Sequence, residues 1–155
     1  MTVVLATLVI SGVVLFVNPI GRSAENSRAL EIRDTASGKV YGKWPLEETG
    51  EFSIEFIHSV HYSPVQETFV IEKRMIRPMR VRFSSFGAGM QSDLDEGKIL
   101  IRDGDALVVT GFSASFKELN YIVGTVSDHL LFIKDEVISL RELCGRNAHI
   151  TIRSK

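Results

Sequence analysis

The sequence predicts an all-β protein: a single antiparallel β-sandwich or barrel-like domain of about ten short strands, preceded by one N-terminal hydrophobic helix. Three observations lead to this prediction. Apolar and polar residues alternate along most of the chain after residue 28, turn-forming residues interrupt the alternation at short intervals, and the first 21 residues carry no charge.

The strand prediction rests on runs in which every second residue is apolar. The segments Phe52–Phe56, Met79–Phe83 and Ile150–Arg153 all follow this pattern. Successive side chains of a strand point to opposite faces, and Val, Ile, Phe and Thr favour the half-buried surface of a sheet. Each run is therefore predicted to be a strand with one face in a core.

Turn signals separate these runs. They are Ser37-Gly38, Thr49-Gly50, Ser63-Pro64, Asp103-Gly104 and Lys134-Asp135. The clearest hairpin lies between Ile101 and Leu107, where Asp103-Gly104 suits a type I′ turn. After the N-terminal segment, only residues 115–119 and 140–144 are compatible with a single helical turn, so one all-β domain is predicted over residues 29–155.

The N-terminal segment is apolar and uncharged. Fourteen of the first 20 residues are apolar, and the run Val3–Val17 holds fifteen residues without a charge. Because a helix rises about 1.5 Å per residue, about twenty residues cross the hydrocarbon core of a bilayer. We assign residues 1–21 to a signal anchor or signal peptide, residues 22–28 to a linker, and the membrane contact to Val3–Val17.

An uncleaved anchor is the favoured interpretation of this segment. No Lys or Arg precedes the apolar run, and the best cleavage position, after Ala24, has Arg22 where a small residue belongs. A cleaved signal peptide and a buried core strand or helix are the alternatives. The flanking Arg22 and Arg28 favour a cytoplasmic C-terminal domain by the positive-inside rule, but such a short charge flank determines orientation only weakly.

Composition excludes several classes of function. The chain has 155 residues with 18 Lys plus Arg against 19 Asp plus Glu, a net charge of −1, which argues against a general nucleic-acid-binding domain. Cys144 is the only cysteine, so neither an intrachain disulfide nor a multi-cysteine metal site can form. We expect its thiol to be buried and unreactive. No metal or cofactor is indicated.

The segment His58–Glu67 concentrates polar residues at a predicted strand end. His58 continues the apolar phase of the preceding strand, which places it at the rim of the buried face. His61 falls on the opposite face unless the chain bends sharply between the two histidines. Glu67 follows the next turn, and it can fold back towards His58 or Ser59.

Several interpretations of this segment compete. A nucleophilic set of Ser59, His61 and Glu67 would make the protein a small hydrolase, but no nucleophile-elbow motif surrounds Ser59. A metal or small-anion site would need the two histidines on one side. The polar groups could instead satisfy the backbone of an irregular corner, or they could contact a partner or a small ligand.

A second unusual segment, Phe83–Met90, has a Gly87-Ala88-Gly89 core after a predicted strand. It lacks the Lys-Ser/Thr of a phosphate-binding P-loop, and no helix is predicted to begin there. An anion-binding nest of backbone N–H groups is one alternative. Positive φ angles or a close backbone approach at a bulge are the favoured role of Gly87 and Gly89.

Together these segments resemble a known bacterial family, the domain of unknown function eighteen-fifty, over about Ala29 to Arg153. The residues that carry the resemblance are His58-Ser59-Val60, then Pro64-Val65 and Glu67, then Phe83–Met90. His61 and Tyr62 stand at variable positions, so the resemblance gives no role to His61. Members are small bacterial proteins with an N-terminal export segment, and they occur beside TAXI-type TRAP transporters, which import organic anions. The family has no established activity.

The resemblance implies an extracytoplasmic, membrane-anchored domain in the periplasm or on the outer face, with cleaved export as the alternative. It also implies a non-catalytic accessory or binding protein of a TRAP (TAXI-type) organic-anion uptake system, with the permease or the solute-binding protein as partner. The candidate contact surface is formed by residues at predicted strand ends, where binding residues concentrate. These are His58, Ser59, His61, Glu67, Gly87 and Gly89.

Overall fold

The computed structural model describes residues 28–59, 62–84 and 97–155. Within them the chain forms eleven strands and one short helix. In chain order they are β1 (Ala29–Asp34), β2 (Val40–Pro45), β3 (Glu51–Ile57), β4 (Pro64–Glu72), β5 (Met75–Phe83), β6 (Ile99–Asp103), β7 (Ala106–Thr110), β8 (Glu118–Ile122), β9 (His129–Ile133), β10 (Glu136–Ser139), α1 (Leu140–Cys144) and β11 (His149–Ser154). The predicted N-terminal helix with Val3–Val17 lies outside the described residues, as do His61, Gly87 and Gly89.

The strands pair into two antiparallel sheets. The larger sheet has seven strands in the order β10-β9-β3-β4-β5-β7-β6, and the smaller sheet has four in the order β2-β1-β11-β8. The predicted all-β, antiparallel class is therefore confirmed. β1 and β11 lie side by side in the centre of the smaller sheet, where Ile32 pairs with Ile152.

The core lies between the two sheets and follows the alternation of the sequence. In β3 the inward side chains Phe52 and Ile54 are buried, and Phe52 stacks on Phe69 of β4 with ring centroids 5.3 Å apart. From the smaller sheet, Ile32 and Ile152 reach the same cluster. Because burying one such side chain contributes about 1.5–3 kcal/mol, the contact between the sheets is the main source of stability.

A smaller apolar cluster extends the inner face of the larger sheet beyond β4. Val65, Phe83, Leu107 and Val109 are buried in it. Phe56 packs against both this cluster and the main core, so it marks the junction of the two clusters near the end of β3.

The predicted hairpin between Ile101 and Leu107 is present as β6 and β7. Asp103 pairs with Ala106, so the two-residue loop is Gly104-Asp105. Of these two residues only Gly104 has a positive φ, 62°, which is the pattern of a type II′ turn. The expected type I′ turn was wrong, because it needs a positive φ at both central positions.

Of the two segments compatible with a helical turn, one is helical. α1 begins after Ser139, whose hydroxyl accepts the N–H of Glu142 at 3.0 Å and so caps the helix. Residues 115–119 instead carry a bridge between Phe116 and Ile76, followed by the start of β8.

Candidate functional site

Two loops leave adjacent strands at one end of the molecule, which we call the loop end. They are the β3–β4 loop (residues 58–63) and the β8–β9 loop (residues 123–128). Phe56 of β3 pairs with His129 of β9, which brings the loops together. Ser127 adds a hydrogen bond from its hydroxyl to the backbone oxygen of Ile57 at 3.5 Å.

The β3–β4 loop closes on its own backbone. The N–H of His58 donates to the oxygen of Ser63 and the N–H of Tyr62 donates to the oxygen of His58, both at 2.9 Å. Tyr62 has a φ of 52°, a backbone angle that residues other than glycine rarely adopt. Tyr62 is 81% exposed, so a hydrogen-bonded loop presents an aromatic side chain to solvent.

The β8–β9 loop is tight for a different reason. A Cβ atom at Gly124 would lie 2.2 Å from the backbone oxygen of Ser127, so only glycine allows this approach. The N–H of Gly124 donates to Nδ1 of His129 at 3.1 Å, which fixes the loop to the start of β9. Val126, at the tip, is 90% exposed.

Beneath the loops, a polar contact joins the two sheets. Glu67 lies on the inner face of β4, in phase with the buried Val65 and Phe69. Tyr121 reaches it from β8 of the smaller sheet, and its hydroxyl donates to Oε2 of Glu67 at 2.6 Å. The hydrogen bond therefore connects residues 54 positions apart and supplies the buried carboxylate with a donor.

Burial controls the ionisation of this pair. It raises the pKa of Glu67, while the hydrogen bond from Tyr121 opposes the rise. Burial and the neighbouring carboxylate raise the pKa of Tyr121 far above its ordinary value, so the phenol stays protonated. The pair can hold or accept a proton at Glu67, but Tyr121 acts only as a hydrogen-bond donor.

His129 forms the second polar group under the loops. Its ring stacks on Phe56 with centroids 5.2 Å apart and meets the edge of Tyr121 at 6.2 Å. Burial lowers the pKa of His129, and the positive charge of Arg141 acts in the same direction, against the opposing effect of Asp128. A neutral ring with Nδ1 as acceptor carries its proton on Nε2.

A surface cleft of about 690 Å³ opens on the outer face of the larger sheet beside the loop end. Its lining includes Glu55, Gln66 and Arg82, which lie side by side on β3, β4 and β5. Arg82 forms an ion pair with Asp103. The cleft has the size of a small-ligand site, but the guanidinium group of Arg82 already pairs with the carboxylate of Asp103.

The structure places the predicted site residues in different surroundings. His58 is half-buried directly after β3, and Ser59 is an exposed turn residue. Glu67 faces the interior and bonds to Tyr121, and among the described residues no hydrogen bond joins it to Ser59. His61, Gly87 and Gly89 lie outside the described residues, so the predicted contact surface and the Ser59–His61–Glu67 set stay predictions.

Sequence reasoning missed four residues of the loop end. Tyr121 and His129 complete the polar layer, and Tyr62 and Val126 provide the exposed apolar tips. The sequence contains one signal that Glu67 needs a hydrogen-bond partner. Glu67 occupies an inward position of an otherwise apolar strand face. His129 is the first residue of β9.

Within the described part of the chain, no group of three or more His, Cys, Asp or Glu side chains is arranged to hold a metal ion. No helix among the same residues is long and apolar enough to cross a membrane. Cys144 is half-buried, and burial raises the pKa of its thiol to about 11, which keeps it protonated at neutral pH.

Fold and site together define a two-sheet antiparallel β-domain with one polar, loop-bearing end. The chain belongs to the family of the domain of unknown function DUF1850, whose family model matches residues 52–140. The matched range contains both loops of the loop end and the residues Glu67, Tyr121 and His129. The predicted family is therefore confirmed. No curated protein and no solved structure matches the chain.

Proposed function

We propose that this protein is a non-catalytic binding module that uses its loop end to contact a partner. The observation that supports this proposal is the exposure of Tyr62 and Val126 on two adjacent loops. The N–H of Tyr62 donates to the oxygen of His58, and the N–H of Gly124 donates to the ring of His129, so each loop is tied to the end of a neighbouring strand. Aromatic and aliphatic anchors on fixed loops are typical of protein contact surfaces.

In this proposal the candidate contact residues His58 and Ser59 contribute to the same surface. They precede Tyr62 in the β3–β4 loop and carry polar side chains. Interfaces combine a few apolar anchors with a polar rim, so this composition suits a partner protein. Glu67 supports the surface from below, through its hydrogen bond to Tyr121.

The partner in this proposal is the permease or the solute-binding protein of a TRAP (TAXI-type) organic-anion uptake system. The support is the resemblance of His58-Ser59-Val60, Glu67 and Phe83–Met90 to a family found beside such transporters. The apolar run Val3–Val17 would anchor the domain to the membrane, with the β-domain on the extracytoplasmic side. Cleavage of this run would leave a free extracytoplasmic domain.

The test is a pull-down of the tagged full-length chain from native membranes, followed by identification of the captured proteins. We expect the transporter components with the wild-type chain and their loss with the double variant Tyr62→Ser/Val126→Ser. The matched control is Val137→Ser, which changes a residue of β10 that is 58% exposed and leaves the loop end intact. Equal capture by the double variant and the control would contradict the proposed surface, and capture of no transporter component by wild type would contradict the partner.

A further inference from the structure

Two basic residues occupy a strained turn. Lys73 and Arg74 form the two-residue loop between β4 and β5, because Glu72 pairs with Met75. Both residues have a positive φ, 50° and 64° respectively. A turn of this kind favours Asn and Gly, and the conformation is strained for residues with longer side chains. Such strain concentrates at functional positions, so this turn is a candidate for a function.

The turn also holds the unpaired charges of a basic segment. Residues 73–82 contain five basic residues and no acidic residue. Three of the five form ion pairs: Arg77 with Glu72, Arg80 with Glu51, and Arg82 with Asp103. Lys73 and Arg74 are exposed, and neither forms an ion pair with another described residue. The segment therefore presents two positive charges to solvent at one point, the turn.

The turn lies beside the point where the described chain begins. Gly50 contacts both regions. Its oxygen accepts the N–H of Ile71, two residues before the turn, at 2.9 Å, and a Cβ atom on Gly50 would lie 3.5 Å from Nη1 of Arg28. Arg28 is the first described residue and directly precedes β1. The turn and Arg28 are therefore neighbours at the end of the domain opposite the loop end, which we call the anchor end.

At the anchor end the β4–β5 hairpin continues past the strands beside it. On one side, β3 pairs with β4 only as far as Val70, with one further hydrogen bond to Ile71. On the other side, the last bridge from β5 joins Ile76 to Phe116. Among the described residues, no third strand pairs with residues 72–75. The turn is therefore the tip of a projecting hairpin.

The linker limits how far the anchor end can lie from a membrane. Residues 18–27 separate the apolar run Val3–Val17 from Arg28. Ten residues span at most about 35 Å when they are fully extended. With Val3–Val17 in the bilayer, Arg28 and the turn beside it stay on the membrane side of the domain, and the loop end points away. This step rests on the membrane anchor of the proposed function.

We propose that Lys73 and Arg74 bind the anionic lipid headgroups of the membrane that anchors the chain. Each basic side chain close to an anionic surface strengthens binding about fivefold, and the turn presents two of them together. The exposed carboxylates Glu47 and Glu48 lie on the neighbouring β2–β3 loop, so the contact depends on the projection of the turn rather than on the net charge of the anchor end. The contact orients the domain and leaves the loop end accessible to a partner.

The test places the full-length chain in phosphatidylcholine nanodiscs with or without about 30% phosphatidylserine. A trace of lipid with a gadolinium-chelating headgroup broadens the NMR signals of nuclei near the membrane surface. In the anionic nanodiscs we expect stronger broadening at the amides of Lys73 and Arg74 than at those of Tyr62 and Val126. The broadening at the turn should be about fivefold weaker in neutral nanodiscs, and about 1 M sodium chloride should reduce it similarly, since the Debye length is then about 3 Å.

The variant Lys73→Gln/Arg74→Gln removes both charges and keeps long side chains in the turn. In anionic nanodiscs its turn should be broadened as weakly as that of wild type in neutral ones. The matched control Lys39→Gln/Arg146→Gln removes two exposed charges from the β1–β2 and α1–β11 loops, and it should behave as wild type.

Equal broadening at the wild-type turn with and without phosphatidylserine would overturn the proposal and would favour an acidic protein surface as the occupant. That comparison needs only the wild-type chain, so a variant that fails to fold does not obscure it.

Flotation with vesicles of the same two compositions separates this proposal from the membrane anchor. The apolar run alone should carry the chain to neutral vesicles. A chain that floats only with phosphatidylserine vesicles would contradict the anchor. Loss of this flotation in Lys73→Gln/Arg74→Gln would then support the proposed contact, and its retention would overturn it. A chain that floats with neither composition would contradict both proposals.

Discussion

The middle of the molecule and its loop end are built on the same strands but hold different chemistry. On the inner face of β9, Leu131 and Ile133 are buried in the apolar core, whereas His129 begins the strand with a polar ring. On β4, Phe69 and Ile71 are buried in the middle, whereas Glu67 lies nearer the loops. Alternation decides which face a side chain occupies, but position along the strand decides whether that face is polar.

This difference teaches how the domain can carry a polar layer without losing its core. Glu67 is paired with a donor from the opposite sheet, and His129 is held by the Gly124 N–H and the ring of Phe56. Glu67 and His129 thus each have a specific partner, whereas the apolar middle needs only shape and volume. Five variants test this contrast.

The largest effect is expected in the apolar middle. Leu131→Ala removes a side chain that is 0% exposed and leaves a cavity between the sheets, so the free energy of unfolding should fall by about 3 kcal/mol. Val137→Ala, at an exposed position of β10, should cost about 0.5 kcal/mol or less. Urea denaturation measures both, and equal losses would mean that Leu131 is not part of a continuous core.

At the loop end, Tyr121→Phe removes the donor of Glu67 without changing the ring. The buried carboxylate then lacks its partner, and the free energy of unfolding should fall by about 1–2 kcal/mol at neutral pH. Tyr41→Phe is the matched control, because the Tyr41 hydroxyl makes only a long bond of 3.4 Å to Asp34. A smaller loss for Tyr121→Phe than for the control would show that the contact between the sheets contributes nothing.

Substitutions at the end of the molecule opposite the loop end should raise the free energy of unfolding rather than lower it. The two-residue β4–β5 turn consists of Lys73 and Arg74, with φ values of 50° and 64°, a conformation that favours Asn and Gly. Lys73→Asn/Arg74→Gly should therefore raise the free energy of unfolding by about 1 kcal/mol. Thermal denaturation measures the gain, and partner capture should be unaffected. A loss of stability would mean that the lysine and arginine side chains make contacts worth more than the strain.

The smallest effects are two pH dependences of opposite sign. The folded-state pKa of Glu67 is raised above 4.5, so its contribution to stability is complete below that pH and is lost as pH rises through the folded-state pKa. The folded-state pKa of His129 is lowered below 6.5, so its contribution is present above that pH and is lost as pH falls through the folded-state pKa.

Denaturation at several pH values separates the two groups. Relative to wild type, Glu67→Gln should become more stable as pH rises above 4.5, and His129→Gln should become more stable as pH falls below 6.5. The control is Glu136→Gln, which makes the same substitution at an exposed position of β10, and the profile of Glu67→Gln should differ from it. Parallel profiles for Glu67→Gln and His129→Gln would refute the assigned burial of one of them.

Local patterns were sufficient to predict the strands and one hairpin. Phe52–Phe56, Met79–Phe83 and Ile150–Arg153 all lie in strands, because a period of two is a property of neighbouring residues. The division into two sheets was not predictable in the same way. β1 pairs with β11 through residues more than 100 positions apart, and no local pattern encodes such a pairing.

Only the part of the site that consists of consecutive residues was predictable from the sequence. The polar segment beginning at His58 lies at the loop end because a turn follows an alternating strand. Tyr121 was missed because its contact with Glu67 depends on how the sheets face each other.

The central position of β11 has a consequence for the timing of folding. β1 and β8 both pair with β11, and the N–H of Lys155 donates to the oxygen of Ala29 at 2.9 Å. At a synthesis rate of about 5–20 residues per second, the last strand emerges about 10 s after the first. Until then β1 has only β2 beside it, and the inner face of the larger sheet lacks most of its cover. We therefore expect the two sheets to close only after β11 is synthesised, and a chain that stops short of β11 should be left with its core open.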